Sequence, residues 1–261
     1  MRLGFVGCGA IASAMVSGLC ATGNADPITL SPRNAKVAAG LASRFANVRV
    51  AATNQAVLDA CDVVVLAVRP QVASGVLSEL RFRPDHHVVS LIAILPLEYI
   101  RSVTAPARLV TRAVPLPSVA LRQGPTAIYP PAQPAKALFD ALGRAIELDD
   151  ESQFDAFAAA TATMASYFSF ASTVAHWMTR NGVTPENARI YVGEMLRGLA
   201  ATSLALPDHS FEALADEHQT AGGLNEQVLK LITRDGSFVE LDRALDAVLT
   251  RLQAGARVPF S

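Results

Sequence analysis

Lysine is scarce in this chain. Lys36, Lys136 and Lys230 are its only lysines in 261 residues, and every other basic side chain is an arginine. None falls between Glu151 and Arg180, which excludes a lysine general acid or base from the long apolar segment there. Cysteine is equally rare. Cys8, Cys20 and Cys61 are odd in number, scattered and without metal-ligand spacing, so neither a disulfide framework nor a cysteine metal centre is expected. They read as small buried residues of a reducing compartment. An excess of charge is missing too. Twenty-two basic against 23 acidic residues leave a net charge of −1, which gives no electrostatic reason to expect nucleic acid or an anionic membrane as partner. The longest uncharged apolar run, Val88 to Leu97, falls short of the roughly 20 residues that a bilayer crossing needs. A cytoplasmic protein without a membrane partner is expected.

What the chain does have is a 51% hydrophobic content, enough for a full core, and a telling N-terminus. The apolar run Leu3 to Val6 leads directly into Gly7-Cys8-Gly9-Ala10-Ile11-Ala12, followed by a small-residue helical pattern. Strand, glycine turn and helix start is the order of a dinucleotide site. Gly7 permits the turn, Gly9 lets backbone approach a pyrophosphate, and Ala12 keeps helix and strand close. The N–H groups and positive dipole end of the helix then face the phosphates. Glycines 4, 7, 9 and 18 interrupt the run, which argues against a cleaved leader segment.

Strand-like and helix-like segments alternate up to about residue 150, as in a doubly wound parallel sheet. The strands expected are Leu3–Val6, Ile28–Leu30, Val48–Val50, Val63–Val68, His87–Ile92, Arg108–Arg112 and Ala145–Leu148. Asp85-His86-His87 reads as a loop ahead of a strand, and Pro115 to Pro134 as irregular with an extended piece near Thr126 to Tyr129. From Asp149 on, only helical patterns appear. Phe154, Phe157, Thr161, Met164, Phe168, Ala171, Ala175 and Met178 mark one long helix, apolar on every face and so expected to be buried all round, His176 included. Asn181-Gly182 ends it, Thr184-Pro185 starts the next helix, and Ser237-x-x-Glu240 reads as a capping box. The organisation expected is an NADP-binding Rossmann domain over 1–150 and a helical substrate and dimerisation domain over 151–261. A helix that a half-chain cannot cover calls for a partner subunit.

Ligands of such a sheet bind beyond the carboxyl ends of its strands. The loops there are 7–12, 31–36, 69–72 and 93–96. After the second strand, where an NAD site places an acidic residue for the ribose hydroxyls, this chain has Ser31-Pro32-Arg33-Asn34-Ala35-Lys36. A hydroxyl, a guanidinium and an amide suit a 2′-phosphate, so NADP(H) is the cofactor expected, with Ser31, Arg33 and Asn34 as its ligands.

The glycine turn, Leu66-Ala67-Val68-Arg69-Pro70-Gln71, Ser90-Leu91-Ile92-Ala93, Arg112-x-x-Pro115, Gly124-x-Thr126-Ala127 and the late Gly222-Gly223 together resemble the pyrroline-5-carboxylate reductase family over nearly the whole chain. That resemblance implies NAD(P)H-dependent reduction of the cyclic imine 1-pyrroline-5-carboxylate to proline, as a homodimer or a larger homo-oligomer. It places Val68, Arg69, Pro70 and Ala93 beside the nicotinamide. The chain departs from the family on the substrate side. The family's Met-Pro-Asn-Thr-Pro falls on Val114-Pro115-Leu116-Pro117-Ser118, and its Pro-Gly-Gly-Thr-Thr falls on Ala221-Gly222-Gly223-Leu224-Asn225. The substrate-facing candidates are then Ser166, Thr220, Gly222, Gly223 and Asn225, with Thr220 and Asn225 supplying the catalytic hydrogen bonds and Met164 and Tyr167 shaping a wall. Backbone N–H groups near Thr220 to Gly223 would hold the substrate carboxylate. A protonated imine is electrophilic without a metal, so none is called for. His218, in Glu-His-Gln, reads as a surface residue or a proton relay. Two other functions fit parts of the pattern: a β-hydroxyacid-type dehydrogenase, which needs the central-helix lysine missing here, and a non-catalytic NADP-binding sensor.

Overall fold

The computed structural model describes residues 1–23, 25–92 and 95–255. The chain forms two compact units, Met1–Phe154 and the residues from Asp155 onward. The first holds one eight-stranded sheet in the order β3-β2-β1-β4-β5-β6-β7-β8. Its strands are β1 (Leu3–Val6), β2 (Ile28–Leu30), β3 (Val48–Val50), β4 (Val63–Leu66), β5 (His87–Ser90), β6 (Leu109–Pro115), β7 (Pro125–Tyr129) and β8 (Arg144–Glu147). The helices between them are α1 (Ala10–Cys20), α2 (Ala35–Arg44), α3 (Asn54–Asp59), α4 (Pro70–Ser78), α5 (Leu97–Val103) and α6 (Gln133–Asp140).

All pairings are parallel except β6 with β7, which run antiparallel from Arg112↔Tyr129 to Pro115↔Thr126. The parallel sheet expected holds, corrected only at this one antiparallel pair. Two further corrections follow from this pairing. β6 continues past Arg112 because β7 offers it a partner, and 117–121 forms a 3-10 turn within the stretch read as irregular.

Alternation along β1 and β4 sends Leu3, Phe5, Val63 and Val65 to a core shared with α1, α2 and α6. Val6, Val64 and Leu66 go to the opposite core, under α3, α4 and α5. At Gly18 a side chain is impossible, since a Cβ would lie 2.2 Å from the Val119 carbonyl. That close approach seats α1 on the 3-10 turn.

Of the two adjacent histidines, His86 lies in the loop read there. Both are buried, and His87 opens β5. The Thr111 hydroxyl donates to the Pro130 carbonyl, so it accepts from His87 Nε2–H at 3.0 Å, and Nδ1 is left buried without a partner. Burial pushes the His87 imidazole down to about 4, and burial followed by nearby Arg83 lowers His86 as well. A buried neutral imidazole takes up its proton only on unfolding. Stability is therefore complete above the ordinary histidine value near 6.5 and declines as pH falls from there toward 4, by up to roughly 3 kcal/mol for His87. Urea midpoints of the wild type should fall across that window, and His87→Gln should flatten the slope. Parallel slopes would assign the acid sensitivity elsewhere.

The second unit is helical: α7 (Gln153–Thr161, beginning at the boundary), α8 (Met164–Arg180), α9 (Pro185–Ala205), α10 (Phe211–Glu217), α11 (Leu224–Arg234) and α12 (Ser237–Gly255). The single long helix expected over 154–178 is broken at Ala162–Thr163. The Thr161 and Thr163 hydroxyls donate to the carbonyls of Phe157 and Ala160, and this back-bonding distorts a helix without any glycine or proline. Gly182 (φ 91°) ends α8, and Thr184 caps α9 by accepting the Asn187 N–H. Ser237 is the first helical residue of α12 and not its cap, and the Glu240 carboxylate accepts from Arg243. Burial of α8 on all sides is not supplied by its own chain. Within one chain α8 buries none of its residues, and His176 and Trp177 are exposed. Among the described residues, no helix is long and apolar enough to cross a membrane.

Candidate active site

The strands β1, β2 and β4 end side by side, at Val6, Leu30 and Leu66, and the glycine turn crosses this edge. Gly7 adopts φ 98°, and a Cβ there would lie 2.6 Å from the Ala67 carbonyl, so its role is to make the turn. Gly9 differs. It is the N-cap of α1, in extended backbone, and nothing lies within 4 Å of where its Cβ would stand. The first intrahelical bond runs from Ser13 N–H to the Gly9 carbonyl, so the N–H groups of Ala10, Ile11 and Ala12 have no partner in their own helix. Open space in front of these donors fits a pyrophosphate. Burial raises the Cys8 thiol, so no thiolate opposes the anion.

The second loop divides the three residues assigned to the 2′-phosphate. Ser31 is fully buried and its hydroxyl accepts the Gly7 N–H at 2.9 Å. It stands behind the turn and supports it, with no surface of its own exposed at the loop. Asn34 gives one amide N–H to the Cys8 carbonyl at 3.0 Å and so also braces the turn. Arg33 and Lys36 are exposed and carry the positive charge of this edge. At the third loop Arg69 caps α4 ahead of Pro70 at its first position, and Val68 is half-buried beside it. Ala93 lies outside the described residues. The fourth loop ends at a junction the sequence did not reveal. The Glu151 carboxylate accepts the Leu97 N–H at 2.6 Å and pairs with the buried Arg112, whose guanidinium stacks 4.6 Å from the Phe154 ring.

In the second unit, Thr220, Gly222, Gly223 and Asn225 share the turn that starts α11, whereas Ser166 lies on α8, whose packing partner is α9. Gly222 takes φ 73° with open space around its Cβ position. The donors expected to be available for a substrate carboxylate are engaged within the chain. Gly223 N–H bonds the Thr220 carbonyl at 2.7 Å, and Gly222 N–H bonds the Glu226 carboxylate at 2.7 Å. The Asn225 amide donates to the His218 carbonyl at 2.8 Å, which clamps the turn. Glu226 also pairs with Lys230 at 2.5 Å; Lys230 and the Gly222 N–H together hold its carboxyl below the ordinary range. Glu226 went unnoticed in the sequence, although Gly223-x-x-Glu226 has the N-cap to N3 spacing at which a glutamate reaches back. His218 ends α10 with its Nδ1 2.7 Å from the Leu214 carbonyl. Tyr167 and His176 line a groove of about 670 Å³ between α8 and α9.

Sheet, turn and helical unit define a Rossmann-type, dinucleotide-dependent oxidoreductase. Residues 2–94 match the family model described as NADP oxidoreductase coenzyme F420-dependent, and residues 151–254 match the one described as pyrroline-5-carboxylate reductase dimerisation. The pyrroline-5-carboxylate reductase of Pseudomonas aeruginosa is 30% identical, with 96% of this chain and 95% of that protein covered. The Escherichia coli enzyme is 26% identical over 90% of this chain and 91% of its own. The chain belongs to the pyrroline-5-carboxylate reductase family. Its fold is that of the pyrroline-5-carboxylate reductase from Coxiella burnetii, with TM-score 0.86, 24% identity and 97% of each chain covered. The Plasmodium falciparum pyrroline carboxylate reductase, solved with NADP bound, has the same fold at TM-score 0.80 and 17% identity, again over 97% of each chain.

Proposed function

We propose that this chain is a cytoplasmic, homodimeric NADPH-dependent reductase that converts 1-pyrroline-5-carboxylate to proline, with residues 1–150 holding the cofactor and 151–261 the substrate and the partner subunit. The observation that carries this reading is the 30% identity to a pyrroline-5-carboxylate reductase across nearly the full length of both chains. When bound, the nicotinamide supplies a hydride to the imine carbon. Gly9 and the Ala10, Ile11 and Ala12 N–H groups bind the pyrophosphate, with Gly7 shaping the turn. Val68, Arg69, Pro70 and Ala93 orient the nicotinamide end. Ser31 and Asn34 hold the turn, which leaves Arg33 as the ligand of the 2′-phosphate.

The substrate carboxylate sits at the start of α11. There the Thr220 hydroxyl and the N–H groups of Leu224 and Asn225, which lack intrahelical partners, surround Gly222 and Gly223. Ser166 contributes from α8. The substrate enters already activated as a protonated imine, so these residues orient it and exclude water.

Consumption of NADPH in the presence of 1-pyrroline-5-carboxylate, with proline identified as the product, tests the proposal. A protein that binds NADPH and reduces no cyclic imine would be a non-catalytic NADP-binding protein instead. Arg33→Ala should remove a charged hydrogen bond of about 1.5–3 kcal/mol from NADPH and leave NADH affinity unchanged. Equal losses for both cofactors would place the 2′-phosphate elsewhere.

A further inference from the structure

Glu226 stands at the third position of α11, and its carboxylate reaches back over the start of its own helix. One oxygen accepts the Gly222 N–H at 2.7 Å and the other pairs with Lys230 Nζ at 2.5 Å. The Glu226 side chain is 24% exposed, whereas Lys230 projects into solvent at 71%. Gly222 itself is exposed, with no atom within 4 Å of its Cβ position, so the turn is open to approach from outside. An ionised carboxylate of the chain thus occupies a backbone donor in the turn assigned above to the carboxylate of the substrate.

Resting on that assignment, we propose that Glu226 is a specificity-determining residue: by holding the Gly222 N–H it denies the substrate's carboxylate this further donor of the turn and weakens this chain's preference for an imine that bears a carboxylate over one that lacks it. Two carboxylates cannot share a single N–H. At hydrogen-bonding range their like charges repel, so an incoming carboxylate has to displace Glu226 or sit beside it at a cost. Displacing Glu226 breaks a charge-assisted bond and turns it away from Lys230. A cyclic imine without a carboxylate meets no such competition.

The test compares full-length wild type with Glu226→Gln, whose amide oxygen still accepts the Gly222 N–H but carries no charge. The ratio of kcat/KM for 1-pyrroline-5-carboxylate to that for 1-pyrroline should rise about tenfold in Glu226→Gln, through the KM of the carboxylate substrate. Calorimetry with NADPH present should show (S)-tetrahydrofuran-2-carboxylate binding Glu226→Gln about tenfold more tightly than wild type, at an unchanged melting temperature. An unchanged ratio and an unchanged Kd would reduce Glu226 to a helix cap and overturn the proposal, as would weaker binding by the variant. A wild type that reduces neither imine would defeat the proposed reaction, and the calorimetric comparison would still decide the role of Glu226.

Discussion

Replacing Gly9 by valine is expected to abolish NADPH binding and leave the first unit folded. Gly9 has φ −90° and ψ −167°, a conformation open to any residue, and no neighbour within 4 Å would meet the new side chain. The branched carbons would instead stand in front of the Ala10 to Ala12 N–H groups, where the pyrophosphate has to approach. A loss of about 100-fold or more in NADPH affinity, roughly 2.7 kcal/mol, should appear in a fluorescence titration. The melting temperature should stay within a few degrees of wild type. Gly7→Ala is the contrasting variant. Its Cβ would strike the Ala67 carbonyl at a backbone φ of 98°, so it should lose stability first and affinity as a consequence. NADPH affinity retained within a few-fold in Gly9→Val would mean that the cofactor does not cross the start of α1.

Phe168→Asp is expected to convert the assembled protein to monomer or to leave it insoluble. Phe168 is 68% exposed on α8 within one chain, next to Tyr167 and on the same helix as Trp177, and Ile190 and Tyr191 of α9 are exposed as well. So large an apolar surface on two paired helices needs a cover, and the match of 151–254 to a reductase dimerisation model says what kind. Burying Phe168 against a partner contributes about 2–3 kcal/mol, and an aspartate there would add the cost of an unpaired buried charge. Light scattering at micromolar concentration should report half the wild-type mass. Ile190→Glu serves the same purpose if Phe168→Asp precipitates. A wild-type protein that is monomeric at that concentration would remove the interface from this face.

The sheet was largely legible in the sequence because its central strands β1 and β4 are short apolar runs, Leu3 to Val6 and Val63 to Leu66, the first followed at once by Gly7. β7 was harder to read, since Pro125 to Tyr129 pairs antiparallel with the end of β6 and only tertiary context sets that direction. The break at Ala162–Thr163 was hidden because apolar spacing continues through it and threonine hydroxyls, not glycine or proline, cause it. Of the cofactor edge, the turn at Gly7 and Gly9 was plain from residue type alone. The direction of the Ser31 hydroxyl was not, since a hydroxyl that faces a phosphate and one that faces the backbone leave the same letter in the sequence. On the substrate side, spacing located the Gly222–Gly223 turn. It could not say that Glu226 and Asn225 would fold back on that turn and take up its donors and carbonyls.

The bond from Gly7 N–H to Ser31 Oγ limits how cofactor preference in this scaffold can be changed. The usual exchange toward NAD places an acidic residue at the end of β2. Here that position is fully buried and bonded to the glycine turn, so an aspartate would bring a charge into the interior at a cost of several kcal/mol. It would also disturb the glycine turn that Ser31 braces. The loop proposed to meet the adenine ribose is therefore not a separable cassette in this chain. Redesign toward NADH, or drift in that direction through mutation, has to begin at the outward-facing Arg33 and Lys36 and leave Ser31 in place.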